Sequence, residues 1–79
     1  MNPSPLEATV SGDGERARIA LRGRIDREGD TALAEASSRA AALDAPVVEL
    51  DFSAVDYINS TGIALIVRLL AEEIGRAHV

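Results

Sequence analysis

Three small polar residues, Asn59, Ser60 and Thr61, stand just before an apolar stretch that begins at Ile63. The first N–H groups of a helix have no internal partners, so side-chain oxygens of these types commonly cap helix starts. A hydroxyl in this place could instead carry a phosphate, because free N–H groups and the helix dipole stabilise its charge. Residue types and spacing alone favour the cap.

An enzyme built on Ser60 would need a general base within hydrogen-bond reach. The only histidine is His78, near the end of the chain, and there are no cysteines. Residues 12–14, Gly-Asp-Gly, are typical of a hairpin turn and not of a phosphate-binding loop. We therefore expect no enzyme activity, no catalytic residues, no metal and no cofactor.

Composition indicates one small globular domain. The 79 residues are 47% hydrophobic and 27% charged. A net charge of -5 argues against a sequence-independent hold on nucleic acid phosphates and favours a protein partner with a basic face. Residues 1–7 do not resemble a signal peptide, and the longest apolar run, residues 63–67, is too short to span a membrane. With no cysteines, these features predict a cytoplasmic protein.

The amino-terminal half predicts a β-hairpin followed by a helix. Residues 1–5 suggest a frayed lead-in, residues 6–11 a strand, and residues 17–25 alternate apolar and polar side chains as a half-buried strand does. Asp30 is a plausible N-cap for the helix that follows. The helix has apolar residues at helical spacing and ends at residues 44–46, Asp-Ala-Pro. Those apolar residues are Leu33, Ala36, Ala40 and Leu43.

The carboxy-terminal half predicts a strand, a loop and a second helix. Residues 47–52 suit a central strand, residues 53–59 a loop, and residues 60–73 a helix. The spacing predicts that Ile63, Ile66, Val67 and Leu70 face the core. Leu65 and Leu69 are then expected to lie away from that stripe, beside Ser60. The order is β-β-α-β-α, a mixed sheet with helices on one face.

Two segments resemble a known family. Residues 47–66 are similar to the pattern "vvlDlsgvdfiDSsGl", and residues 23–26, Gly-Arg-Ile-Asp, are similar to "GelD". Their order and separation resemble those of the STAS domains of anti-sigma factor antagonists. The resemblance implies an α/β fold with a mixed sheet and helices packed on one face. It also implies that a carboxy-terminal strand and helices of the family are missing here.

Site residues are carried over position by position from that resemblance. Ser60 matches the family's phosphorylated serine, with Thr61 as the second candidate, and Gly62 matches the glycine that opens the helix. Asp26 and Asp51 match aspartates at strand ends. The departure is Asn59, which stands where the pattern has aspartate. The expected partner-binding residues are Asp26, Asn59, Ser60, Thr61, Gly62, Leu65 and Leu69.

The resemblance implies an anti-sigma factor antagonist that works by partner switching in bacterial transcription control. It would bind an anti-sigma factor with serine kinase activity and be switched off by phosphorylation of Ser60. The alternative is a STAS scaffold that is not phosphorylated, such as a regulatory subunit of a transporter or of a signalling complex. The loss of charge at Asn59 gives that alternative its weight.

The end of the chain, from Glu73 to Val79, resembles the translation of a common sequencing-library adapter up to its stop codon. We therefore expect one partial domain over residues 1–79, with residues 74–79 a non-native read-through tail. A domain shortened in this way would leave an apolar helix and a sheet edge uncovered, which favours self-association.

Overall fold

Two strands, a short helical turn, a helix, a third strand and a second helix follow one another along the chain. The computed structural model describes residues 4–77, and the side chains of residues 4–72. None of the described helices is long and apolar enough to cross a membrane. The elements are β1 (Glu7–Gly12), β2 (Arg16–Ile25), a 3-10 turn (Arg27–Gly29), α1 (Asp30–Leu43), β3 (Val47–Ile58) and α2 (Ser60–Ala77).

The described strands form one mixed sheet in the order β1-β2-β3. β1 and β2 are an antiparallel hairpin, and β2 and β3 run parallel, joined by the crossover through α1. The middle strand is therefore β2, and the prediction that residues 47–52 form the central strand was wrong for the described sheet. The predicted order and the mixed sheet with its helices on one face are confirmed.

β3 continues well past the point where the sequence predicted a loop. Residues 53–58 pair with β2 up to the match of Ile25 with Ile58, after two irregularities in the register. At the first irregularity Asp51 accepts a hydrogen bond from the Ser53 N–H at 2.9 Å. Residues of the types of Asp51 and Ser53 favour a turn. Here pairing with β2 continues on both sides of them, so the chain forms a β-bulge within the strand instead.

The core depends on the alternation of β2. Its residues facing the helices are fully buried, while those facing the other way are largely exposed. α1 and α2 both contribute side chains to this one core, so both helices cover the same face of the sheet. The buried apolar residues are Ala17, Ile19, Leu21 and Ile25 of β2, Leu33, Ala36 and Ala40 of α1, and Ile66 and Leu69 of α2.

The outer face of β2 carries arginines that pair with acids of β3. Arg18 binds Asp51 with an N–O distance of 2.5 Å, and Arg16 lies 3.7 Å from Glu49. Exposed ion pairs of this kind contribute about 0–1 kcal/mol each. The arginine side chains of both pairs are more than half exposed, so this face of the sheet is accessible to solvent.

The boundaries of α1 differ from the prediction at its start. Asp30 is the first helical residue and not the N-cap, because a 3-10 turn precedes it and Gly29 occupies the cap position. The capping side chain acts one turn earlier, where Asp26 accepts from the Glu28 N–H at 3.0 Å. The end of α1 agrees with the prediction, since Asp44 adopts a left-handed conformation with φ of 51°.

α2 is rotated about its axis relative to the prediction, and of the four predicted core residues only Ile66 is buried. Leu69 is 2% exposed and Leu65 is half-buried against the core, whereas the predicted core residues Ile63, Val67 and Leu70 are 52%, 59% and 41% exposed. The expectation that Leu65 and Leu69 point outward was wrong. We call Ile63, Val67 and Leu70 the outer strip of α2.

Truncating each face separately tests this orientation. Leu69→Ala should lower the free energy of unfolding by about 2–5 kcal/mol, because it leaves a cavity in the core. Val67→Ala should change it by less than about 0.5 kcal/mol, because an exposed side chain fills no internal volume. Urea unfolding followed by circular dichroism measures both. A larger loss for Val67→Ala than for Leu69→Ala would contradict this orientation.

Candidate functional site

The site lies where β2 and β3 end side by side. Their parallel pairing matches Ile25 with Ile58, so Asp26 and Asn59 follow the two strands at the same end of the sheet. The Asn59 N–H donates to the Ile25 carbonyl at 3.3 Å, which holds the chain in place as α2 begins. Carboxyl ends of parallel strands are a common place for functional groups, because helices start there with free N–H groups.

Asn59 is the cap of α2. Its side-chain oxygen accepts from the Gly62 N–H at 2.8 Å, and its carbonyl accepts from the Ile63 N–H at 2.9 Å. Ser60 and Thr61 are exposed, and their hydroxyls make no hydrogen bond to any residue that the structure describes. The capping role that the sequence left open among the three residues therefore belongs to Asn59, and the Ser60 hydroxyl is free.

Gly62 places the helix start against the sheet. It is buried, and a side-chain carbon built on it would collide with the carbonyl group of Ile25. Only glycine lets the two backbones approach so closely. This contact between the main chains of Gly62 and Ile25 therefore fixes where Ser60 lies relative to the ends of both strands.

The segment at residues 23–26 has its own backbone requirement. Gly23 has φ of 95°, and a side-chain carbon there would lie 2.7 Å from the carbonyl oxygens of Ser4 and Pro5. The Arg24 N–H donates to Ser4 at 2.9 Å, so this part of the predicted frayed lead-in is held against β2. Residues 1–3 of that lead-in lie outside the described residues.

A charged cluster that the sequence did not reveal holds the turn beside the site. Arg24 binds Asp26 at 2.7 Å and Glu28 at 2.9 Å. Asp26 is largely buried and also caps the 3-10 turn, so its carboxylate is occupied within the chain. The spacing of Arg24 and Glu28 on opposite sides of Asp26 was the available signal, but only the turn brings all three together.

Asp51 lies apart from the site. It precedes Ile58 by seven residues along β3, which corresponds to roughly 20 Å of extended strand. The Ser53 N–H, followed by the guanidinium of Arg18, holds the pKa of the Asp51 carboxyl well below its ordinary value. The prediction that Asp51 ends a strand was wrong, because β3 continues beyond it.

The apolar surface beside the site is also not the predicted one. Leu65 and Leu69 turn toward the core, so the exposed apolar side chains nearest to Ser60 along the chain are Ile58 and Ile63. The sequence could not separate the faces, because apolar residues surround most of this helix. In the structure the inner face is marked by the buried Gly62, which precedes Ile66 by four residues and Leu69 by seven.

No histidine occurs in residues 4–77, and His78 lies outside the described residues. Within the same part of the chain, no group of three or more acidic, cysteine or histidine side chains is placed to hold a metal ion. What the arrangement offers is an exposed hydroxyl at a helix start, next to an apolar surface.

Comparison with protein families assigns the chain. The family model described as "Mlab, STAS domain" matches residues 8–77. The chain belongs to the STAS domain family. The match includes both segments whose resemblance was noted in the sequence, and it runs from the second residue of β1 to the end of α2.

A solved STAS-like structure has the same fold. The crystal structure of an anti-sigma factor antagonist from Mycobacterium paratuberculosis superposes with a TM-score of 0.71 and 23% sequence identity. The match covers 84% of the present chain and 56% of that chain, so this STAS chain spans little more than half the length of its structural neighbour. No curated protein matched the chain.

Replacing the cap tests its role. Asn59→Ala should lower the free energy of unfolding by about 0.5–2 kcal/mol, because the Gly62 N–H loses its acceptor. Asn59→Asp should keep most of the stability, since a carboxylate oxygen caps equally well and carries a favourable charge at a helix start. Thermal and urea unfolding measure both variants. A Ser60→Ala variant is the control, and a loss from it equal to that of Asn59→Ala would place the cap at Ser60 instead.

The lowered pKa of Asp51, which is caused first by the Ser53 N–H and then by Arg18, should appear in the pH dependence of stability. A carboxyl whose pKa is lowered in the folded state stabilises that state above its ordinary pKa of 3.8, and this contribution falls as the pH drops toward the folded-state pKa. The stability gap between wild type and Asp51→Asn should therefore be constant above about pH 5 and shrink below about pH 4. Urea titrations from pH 3 to pH 7 measure it, with Asp56→Asn as the matched change on β3. A gap that widens in acid would contradict the assignment.

Proposed function

We propose that this protein is an anti-sigma factor antagonist that binds an anti-sigma factor with serine kinase activity and is released when Ser60 is phosphorylated. The observation that carries the proposal is that the cap of α2 and the exposed hydroxyl belong to different residues. Asn59 supplies the cap, which leaves the Ser60 hydroxyl exposed and without a hydrogen bond to the described residues. Thr61 is the second candidate for modification. The anti-sigma factor antagonist with the same fold supports the choice of partner class.

The modification itself needs only the kinase and ATP. The Ser60 oxygen would bond to the γ-phosphorus as the bond to the bridging oxygen of ADP breaks, and a base of the kinase would take the hydroxyl proton. The product carries about two negative charges at neutral pH. No acidic residue lies in the first turn of α2, and the helix dipole favours the added charge. The phosphate would thus change the surface without disrupting the fold.

The partner surface is proposed to combine the site with the outer strip of α2. Ile63 and Val67 lie three and seven residues beyond Ser60, which places them along the helix from the phosphate position. A phosphate there would set charge beside an apolar contact and so disfavour a docked partner. In this arrangement Gly62 and Asp26 act by holding the helix start and the neighbouring turn.

The second candidate is a STAS scaffold that is not phosphorylated, such as a regulatory subunit of a transporter or of a signalling complex. The observation that favours it is the neutral cap, because Asn59 completes the start of α2 with no need of a charge or a phosphate. Under this alternative the outer strip alone would bind the partner, and Ser60 would be an ordinary exposed residue in the first turn.

Phosphorylation and binding can be measured on the same protein. We expect mass spectrometry of the protein isolated from its cells to find phosphate on Ser60, and Ser60→Ala to remove it. Ser60→Asp should weaken binding to the anti-sigma factor at least tenfold in calorimetry. Ser38→Asp is the matched control, because Ser38 is an exposed serine on α1. It should leave binding unchanged.

The outcomes separate the two candidates. A Ser60 that stays unmodified under all growth conditions, together with full binding by Ser60→Asp, would exclude the switch and favour the scaffold. Phosphate on Thr61 with an unmodified Ser60 would keep the switch and move it by one residue. Loss of binding in Val67→Arg, with the fold intact by circular dichroism, would place the partner on the outer strip in either case.

A further inference from the structure

Two arginines lie close to Asp26 in the chain, and they are engaged differently. Arg24 is partly buried and is held by the carboxylates of Asp26 and Glu28. Arg27 is exposed and forms no ion pair with any residue that the structure describes. Arg24 therefore fixes the turn, and Arg27 is the cation that the turn presents to its surroundings.

The 3-10 turn that carries Arg27 passes beside the first turns of α2. The chain enters this turn just after Ile25, whose carbonyl group is in contact with Gly62. It leaves the turn at Asp30, which pairs with Arg68 at 2.6 Å. Between these two contacts the turn lies against α2. Arg27 follows the first contact by two residues, so it lies toward the start of the helix.

No acid at the start of α2 occupies this cation. The first turn of α2 contains no acidic residue. The carboxylates next to Arg27 in the chain, those of Asp26 and Glu28, are both bound by Arg24. A phosphate on Ser60 would therefore bring the missing anion. Guanidinium groups bind phosphate through paired, charge-assisted hydrogen bonds, and an added phosphate commonly creates new contacts of this kind.

The other arginines beside the start of α2 are already committed. To reach a phosphate, Arg24 would have to leave Asp26, whose side chain is only 20% exposed. A largely buried carboxylate that loses its cation is strongly unfavourable, because neither water nor a counter-charge replaces what was lost. Arg68 is held by Asp30 on α1. Arg27 breaks no ion pair with the described residues when it moves.

We propose that Arg27 binds the phosphate when Ser60 is phosphorylated, so that the modified serine is held against the 3-10 turn. This inference rests on the proposed function, because it concerns the phosphate proposed there. In the unmodified protein the turn region and the start of α2 approach each other through the main chains of Ile25 and Gly62. The new ion pair adds a side-chain link between them and withdraws the Arg27 charge from the surface that a partner meets.

The pKa of the phosphate tests the contact directly. A neighbouring guanidinium favours the dianion and so lowers the second pKa of phosphoserine, which is ordinarily about 6. In the chain synthesised with phosphoserine at position 60, we expect Arg27→Gln to raise this pKa by about 0.5 in a phosphorus NMR titration. Arg27→Lys keeps the charge but not the paired hydrogen bonds, so its value should lie between the two.

Arg22→Gln is the matched control. Arg22 is also exposed and forms no ion pair with the described residues, but it lies on β2, before the turn. Its replacement should leave the phosphate pKa unchanged. The same pKa in the parent chain, Arg27→Gln and Arg22→Gln would overturn the proposal, and so would an equal rise in both variants. Circular dichroism checks that each variant keeps the fold.

A second measurement needs no substitution. The side-chain Nε–H signal of Arg27 should shift when the phosphorylated and unmodified chains are compared by NMR, and that of Arg22 should not. An Arg27 signal that does not move would overturn the contact. Because the phosphate is installed by synthesis, neither measurement depends on a kinase or an anti-sigma factor. Failure of the proposed switch would appear separately, as a Ser60 that cells never modify.

Discussion

The start of α2 rests on the end of β2 through contact between main chains, and the arrangement of the site depends on it. Gly62 is pressed against the carbonyl group of Ile25, at a distance that no side chain would permit. The contact fixes where the helix begins above the sheet. Asn59 can then bridge both elements, with its N–H bonded to β2 and its side chain bonded to α2. Because these contacts fix the start of α2 and Asn59 supplies the cap, the Ser60 hydroxyl remains exposed.

β2 connects the site to the rest of the protein. Its inward side chains form the centre of the core, and its outward arginines engage acids on β3 and on the turn that follows β2. Burial supplies most of the stability, since each exposed ion pair contributes about 0–1 kcal/mol. The ion pairs matter more for geometry. Arg24 holds the turn containing Asp26 beside the helix start, so the charged cluster and the exposed serine lie at the same end of the sheet.

α2 has two apolar faces with different tasks. The inner face, with Ile66 and Leu69, completes the core, and the outer strip stays exposed next to Ser60. Exposing aliphatic residues in a small domain opposes solubility, so an interaction surface is their natural explanation.

The sequence by itself determined the order of elements, the hairpin, the family and the position of Ser60 at a helix start. Each of these depends on local signals: alternation in β2, turn residues, and small polar residues before an apolar run. Tertiary structure alone decided which face of α2 is buried. Leu65 and Val67 are both apolar, and the contact of Gly62 with the Ile25 carbonyl group fixes the rotation of the helix about its axis. It also decided that β3 continues past Asp51, because pairing with a distant strand outweighs a local turn signal.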